Sequence, residues 1–121
     1  MRFFDLFDLP DPLQVLDVGA AAIAEAPVYK PLLDMGAAHL HAVDGDTRHA
    51  NGLTRAYAPH VTVHPAFLFD GTQRRVYLCD AASGMTSLFR PRPEALQFFT
   101  GFAKFGTVLS EAQVQTTRLD D

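Results

Sequence analysis

The chain has 121 residues, of which 48% are apolar and 20% are charged, as is typical of one soluble globular domain with a modest core. Its net charge of −4 argues against a nucleic-acid-binding surface, because such surfaces are usually basic. A single cysteine, Cys79, cannot form an internal disulfide, and no apolar run reaches the length of a membrane span, so we expect a cytoplasmic protein without membrane contact.

The N-terminal segment is predicted to be an arm, residues 1–13, ahead of a folded domain over residues 14–121. The apolar residues of the arm are interrupted by acids, so it lacks the continuous apolar core of a signal peptide. The first strand is predicted over residues 14–18. This largely apolar run has an acid, Asp17, near its end and is followed by Gly19.

The first helix is predicted over residues 28–35. Pro27 interrupts the run of small residues ahead of it, and Gly36 is typical of a helix end. The second strand is predicted over residues 39–43, and it also ends in an acid, Asp44.

The turn after the second strand is predicted to start another helix. Either Asp46 or Thr47 could cap this helix, which extends to about Tyr57. Pro59 then ends it, and the third strand is predicted over residues 60–64.

The third strand is predicted to continue through residues 66–69 as far as a turn at Asp70-Gly71. Residues 74–79 alternate enough to indicate a further strand. Residues 85–89 are predicted to be its hairpin partner, since Ala82-Ser83-Gly84 is typical of a turn.

A third helix is predicted over residues 91–105, with a phenylalanine-rich face, and a last strand over residues 113–119. The alternation of strands and helices predicts a parallel sheet with right-handed crossovers and the strand order 3-2-1. The first strand would then lie at an edge, although its apolar run suits burial on both faces. Either the C-terminal strands cover that edge, or the chain is a piece of a longer protein.

The histidines are candidates for a metal site, because His39 and His41 alternate on one predicted strand and His60 and His64 on the next. No cysteine or carboxylate cluster accompanies them in the sequence. Structural or surface roles are therefore favoured, and no metal is expected.

The acids that end the first two strands carry the functional prediction. Gly19 after the first strand lets the backbone approach a ligand closely, and Asp44 can accept hydrogen bonds from two ribose hydroxyls. The alternatives are an ordinary strand end for Asp17 and Gly19 and a helix-capping turn for Asp44. For Asp70-Gly71, a plain β-turn is as good an interpretation as a ligand contact.

Six motifs follow one another along most of the chain, from about residue 14 to residue 121. They are Val15-Leu16-Asp17-Val18-Gly19-Ala20, Tyr29-Lys30-Pro31-Leu32-Leu33, Ala42-Val43-Asp44-Gly45-Asp46, Asp70-Gly71, Gly84-Met85-Thr86-Ser87-Leu88-Phe89-Arg90-Pro91 and Thr116-Thr117-Arg118-Leu119-Asp120-Asp121. In order and spacing this set resembles the FkbM-type S-adenosylmethionine-dependent methyltransferases. The resemblance implies a Rossmann-like, three-layer α/β/α fold of the class I methyltransferases, of which this chain would hold the N-terminal half of the sheet and a β-hairpin insertion.

The resemblance also implies roles for individual residues. The turn Gly19-Ala20-Ala21 would pass under the methionine and ribose of S-adenosylmethionine. Asp17 would hold this turn or reach the cofactor's amino group through water, and Asp44 would accept hydrogen bonds from both ribose hydroxyls. Asp70 would lie near the adenine amino group, with Gly71 permitting the approach. The expected reaction is O-methylation of a small molecule or sugar, and no residue can be named as the catalytic base.

The sequence departs from the methyltransferase pattern after Gly19, where Ala21 and Ile23 occupy positions that usually hold glycine or another small residue. This departure keeps a second interpretation open, in which the chain is a non-catalytic remnant or interaction module that forms a homo-oligomer. A nicotinamide-dinucleotide domain is disfavoured, because the Gly-x-Gly-x-x-Gly turn is missing.

Overall fold

The computed structural model describes residues 10–21 and 25–121, so most of the predicted arm and Ile23 lie outside the described residues. Within these ranges the chain forms a small α/β structure with two separate sheets. Its elements are β1 (Leu13–Val18), α1 (Lys30–Asp34), β2 (Ala38–Val43), α2 (Ala50–Tyr57), β3 (Val61–His64), β4 (Phe67–Leu68), β5 (Gln73–Leu78), a 3-10 turn (Ala81–Ser83), α3 (Pro93–Leu96) and β6 (Ser110–Thr117).

The first sheet is parallel and has the order β1-β2-β3, which confirms the predicted strand order. In its register Asp17 lies opposite Ala42, and Leu40 lies opposite Val61. The predicted boundaries of the first two strands and the predicted start of the third agree with the structure to within a residue. The first helix is shorter than predicted, and Gly36 ends it with a φ of +69°.

The core lies on one face of this sheet. Ala38, Leu40 and Ala42 alternate along β2 and are completely buried. Leu33 of α1 and Leu53 of α2 pack against them, because one face of each short helix is apolar. The small alanines let the helices approach β2 closely, while Leu40 fills the centre.

Polar side chains occupy much of the opposite sheet face. His41 Nδ1 lies 3.1 Å from His64 Nε2, and His41 Nε2 lies 2.9 Å from Gln14 Oε1. His39 Nε2 lies 2.8 Å from Thr62 Oγ1. These hydrogen bonds give the histidines structural partners. Across the described ranges, no group of three or more histidine, cysteine or carboxylate side chains could hold a metal ion.

The second sheet has the order β4-β6-β5, with β4 parallel and β5 antiparallel to β6. The predicted continuous third strand is wrong, because the chain changes sheets at Pro65, which has no N–H to donate to a ladder. The predicted hairpin partner over residues 85–89 is also wrong. That segment meets β5 only through one bridge between Tyr77 and Ser87, and β6 pairs with the full length of β5 instead.

The predicted helix over residues 91–105 is wrong beyond its first turn. The α-helix α3 ends at Leu96, and turns follow it. Gly101 has a φ of +78°, a left-handed conformation that ends any helix passing through it. The phenylalanine side chains of this segment are consequently exposed, and Phe98 is the most exposed of them at 88%.

The first strand lies at the edge of the parallel sheet, as predicted, but the C-terminal strands do not cover it. They pair with one another and with β4, and β1 pairs only with β2 among the described residues. Leu16 and Val18 on its open face are more than half exposed. None of the helices in the described ranges is both long and apolar enough to span a bilayer.

Candidate functional site

The carboxyl ends of β1 and β2 meet at Gly19. The Gly19 N–H donates to the Val43 carbonyl at 2.7 Å, and the Ala20 N–H reaches the same oxygen at 3.3 Å. Gly19 turns the chain away from the sheet with a φ of +77°. Residues other than glycine rarely adopt this backbone conformation. A Cβ atom placed on Gly19 would meet nothing within 4 Å, so open space lies above the turn.

A cavity of about 230 Å³ opens at this end of the parallel sheet. Gly19 and Asp44 line it from the sheet, and Phe69, Ser87 and Phe89 line it from the segments that follow. The Phe69 and Phe89 rings pack edge to face with centroids 5.8 Å apart. The cavity thus combines a carboxylate and a glycine turn with an aromatic wall.

Asp44 is held by two hydrogen bonds from its own loop. Its Oδ2 accepts from His49 Nδ1 at 2.6 Å, and its Oδ1 accepts from the Asp46 N–H at 2.8 Å. The Asp44 side chain is 12% exposed and that of His49 is 7% exposed. This loop therefore fixes the position and direction of the carboxylate at the cavity wall.

His49 also donates from Nε2 to the Ala81 carbonyl at 2.8 Å. A carboxylate and a carbonyl can only accept, so His49 donates from both ring nitrogens and carries a positive charge. Burial by itself lowers the pKa of His49, but the two hydrogen bonds and the charges of Asp44 and Asp46 together raise it above its ordinary value of 6.5. The charged ring connects the end of β2 to the 3-10 turn.

Arg48 makes a second connection between the same two segments. Its guanidinium binds Asp46 with Nε at 2.9 Å and Nη2 at 2.7 Å, and Nη2 also donates to the Cys79 carbonyl at 2.8 Å. The Arg48 hydrogen bond holds the pKa of Asp46 below its ordinary value despite burial. Asp46 Oδ1 also accepts from the Arg48 N–H at 3.1 Å, within the turn that precedes α2. The N-cap residue of α2 is His49, and no side chain caps the helix, so the predicted cap at Asp46 or Thr47 is wrong.

Asp17 lines a cavity different from the one beside Asp44. The Tyr29 hydroxyl donates to Asp17 Oδ2 at 2.5 Å, and burial together with this carboxylate raises the pKa of Tyr29. Asp17, Tyr29 and Tyr57 line a second cavity of about 370 Å³. Gly19 lines both cavities, so Asp17 and Asp44 line two different cavities that share Gly19 as a wall.

The other predicted site residues lie in different environments. The Ala20 side chain is buried in the core and can contribute only its backbone, whereas Ala21 lines the second cavity. Asp70 is exposed, accepts from the Thr72 N–H at 3.0 Å and pairs with Arg74. The Arg74 and Thr72 hydrogen bonds hold the pKa of Asp70 well below its ordinary value.

The turn at Asp70-Gly71 connects β4 to β5, and Gly71 has a φ of +81°. Phe69, the residue before this turn, lines the first cavity, but Asp70 does not. The structure therefore brings Gly19 and Asp44 together, places Asp17 and Ala21 on the far side of Gly19, and leaves Asp70 in a β-turn of its own.

Sequence reasoning missed the two bases that hold the site. Arg48 and His49 follow directly after the turn that begins at Asp44, and two acids followed by two bases within six residues is a signal that could have indicated local pairing. The bond from Tyr29 to Asp17 joins residues 12 positions apart, so no local pattern indicates it.

Comparison of the chain with protein-family models, with curated proteins and with solved structures found no match. The geometry of the described residues is therefore the basis for a functional assignment.

Proposed function

We propose that the chain binds S-adenosylmethionine at the cavity beside Gly19 and Asp44, as the cofactor-binding half of a Rossmann-like methyltransferase that methylates an oxygen of a small molecule or sugar. One observation carries the proposal. A left-handed glycine turn and a carboxylate, at the carboxyl ends of adjacent parallel strands, line the same cavity. Ligands of open α/β sheets bind at this end of the strands.

The carboxylate acceptors of Asp44 fit the ribose hydroxyls. Each carboxylate oxygen of Asp44 has two lone pairs and uses one of them within the loop, so each can accept one ribose hydroxyl. The charged His49 ring prevents the Asp44 side chain from rotating away. This preorganisation reduces the entropy lost on binding.

The aromatic wall suits the adenine. Phe69 and Phe89 offer ring surface at the first cavity, and purines pack well against aromatic rings. In this proposal Phe69 takes the place that the resemblance gave to Asp70, because Asp70 is paired with Arg74 outside the cavity.

The size of the cofactor requires both cavities. The first, of about 230 Å³, is below the range of roughly 300 to 1,000 Å³ that small-molecule pockets usually have. The second, of about 370 Å³, would receive the methionine part, with the amino group directed to Asp17. The cofactor would then cross Gly19, where the missing Cβ leaves room.

When bound, the cofactor would supply a methyl group on a sulfonium sulfur, and that sulfur would leave as a neutral thioether without further activation. The residues of this chain then have to bind and orient it and exclude water, rather than activate it. Asp44 and Gly19 position the nucleoside, and Tyr29 holds Asp17 in place.

Isothermal titration calorimetry with S-adenosylhomocysteine tests the proposal. Gly19→Ala should weaken binding at least about tenfold, since a methyl group would occupy the space through which the ligand passes, and tenfold is worth about 1.4 kcal/mol. Gly101→Ala is the matched control, because Gly101 has nearly the same φ and equally open space but lies away from both cavities. Equal affinities of the two variants would refute the site.

A non-catalytic interaction module is the second candidate, and two observations favour it. Both Asp44 oxygens have partners within the chain, as a purely structural carboxylate would. Phe98, Phe99 and Phe102 are also exposed, as in many interaction surfaces. A folded wild-type chain that releases no heat with S-adenosylhomocysteine would favour this candidate.

A further inference from the structure

The outer edge of β1 carries an ordered row of backbone hydrogen-bonding groups. In the parallel ladder with β2, the Leu13 N–H donates to the Ala37 carbonyl and the Gly19 N–H donates to the Val43 carbonyl. Odd-numbered residues of β1 thus face β2. The even-numbered ones, Gln14, Leu16 and Val18, direct their N–H and C=O groups to the outer edge.

Residues 13–18 themselves carry no feature that protects this edge against pairing. Natural edge strands usually carry a lysine, a proline or a bulge that discourages association. Residues 13–18 contain none of these, and their one charge, Asp17, points to the helix-covered face, where Tyr29 binds it. Among the described residues, no strand pairs with the outer edge of β1.

We infer that β1 pairs antiparallel with β1 of a second copy of this chain, about a two-fold axis at Leu16, to form a continuous sheet with the order β3-β2-β1-β1-β2-β3. This inference concerns the outer edge of β1 and does not depend on the cofactor proposal, although Val18 and Asp17 of the same strand line the two cavities.

The register follows from the chemistry of the edge. A two-fold axis at Leu16 pairs Leu16 with Leu16 and pairs each Gln14 with Val18 of the other copy. All the outward-facing residues then form hydrogen-bonded pairs that exchange two N–H···O bonds each. An axis at Val15 would instead place Val18 opposite Pro12, which has no N–H. An axis at Asp17 would place Gln14 opposite Ala20, whose N–H already bonds to Val43.

The positions of the side chains on β1 are also compatible with this register. Leu16 is 51% exposed on the open face and would be covered by Leu16 of the second copy. Asp17 would lie opposite Val15, so the two acids do not face each other. Gln14 is already oriented on the open face by His41.

Analytical ultracentrifugation of the full chain tests the inference. The wild type should sediment as a dimer, and Leu16→Lys should sediment as a monomer, because the axis would bring two ammonium groups face to face. Leu119→Lys is the matched control. Leu119 is 66% exposed near the C-terminus, and its variant should remain dimeric. Circular dichroism checks that all three proteins are folded.

A cysteine crosslink tests the register itself. A hydrogen-bonded antiparallel pair has Cα atoms about 5.5 Å apart, within the range that a disulfide spans. Leu16→Cys should therefore form a covalent dimer with diamide, whereas Leu119→Cys should not. The buried Cys79 does not compete.

Several results would overturn the inference. A wild-type monomer up to millimolar concentration excludes the pairing. A dimer that survives Leu16→Lys assigns the interface to another surface. The same holds if Phe98→Ser dissociates the dimer and Leu16→Lys does not.

Discussion

Replacing His49 by glutamine should destabilise the chain mainly at low pH. His49 donates to Asp44 Oδ2 and to the Ala81 carbonyl, and glutamine is neutral and can replace at most one of these bonds. A hydrogen bond to a charged group contributes roughly 1.5 to 3 kcal/mol. Asp44 keeps the bond from the Asp46 N–H and some solvent contact, so we expect a loss of about 2 kcal/mol in the free energy of unfolding.

The pH dependence has a defined sign. The pKa of His49 is raised in the folded chain above its ordinary value of 6.5. The stabilisation by the charged ring is therefore fully present below pH 6.5 and is lost as the pH rises through the folded-state pKa. The difference in stability between wild type and His49→Gln should be largest near about pH 6 and should shrink toward alkaline pH.

Thermal unfolding at low salt across this pH range measures the difference, because high salt would screen the ion pair. At the size of this chain, about 2 kcal/mol corresponds to a change in melting temperature of roughly 8 °C. His39→Gln is the control, because His39 bonds to Thr62 on the open sheet face. A gap for His49→Gln that stays constant with pH, or that grows above neutrality, would refute a charged His49.

Three further predictions concern the packing around the site. Gly45→Ala would place a methyl group against the Phe67 ring. Overpacking of this kind lowers the free energy of unfolding by about 1 to 3 kcal/mol, which thermal melts would detect. An unchanged melting temperature would show that the ring moves freely. Leu53→Ala should lower the free energy of unfolding by about 2 to 5 kcal/mol, measured in urea, because Leu53 is buried between α2 and the sheet. Leu119→Ala should change this free energy little. Cys79 is buried and its pKa is raised by burial, so alkylation should be slow in the folded chain and fast in denaturant; rapid labelling of the native chain would contradict its burial.

The parallel sheet could be predicted because its signals are local. Apolar runs between glycine, proline and acidic residues define β1, β2 and β3, and the right-handed crossover rule fixes their order. The acids that end β1 and β2, Asp17 and Asp44, therefore had to lie at the same end of the sheet.

The second sheet could not be predicted in the same way, because its pairing is non-local. Residues 85–89 look like a hairpin partner, but Thr86 Oγ1 accepts the Cys79 N–H at 3.1 Å and so replaces a strand contact. The β6 strand, more than thirty positions from β5, takes that place. The long third helix ends at Leu96, and the left-handed conformation of Gly101, which keeps the chain from continuing as a helix, is not visible in an apolar periodicity.

The partners of the site carboxylates also depend on the folded backbone. The turn after Asp44 brings His49 back to Oδ2, and only then can the ring reach Ala81. Residue types alone indicated a ribose-binding acid, and they gave no sign that its oxygens would already have partners.

Mapping the binding surface of S-adenosylhomocysteine by NMR shows whether the ligand occupies the two cavities beside Gly19. In a ¹H–¹⁵N correlation titration of the labelled chain, we expect saturable shifts for the amides of Gly19, Ala21 and Gly45, with little change at Gly101. A spectrum of a folded chain that does not change with ligand, or shifts confined to residues outside the two cavities beside Gly19, would contradict the proposed site.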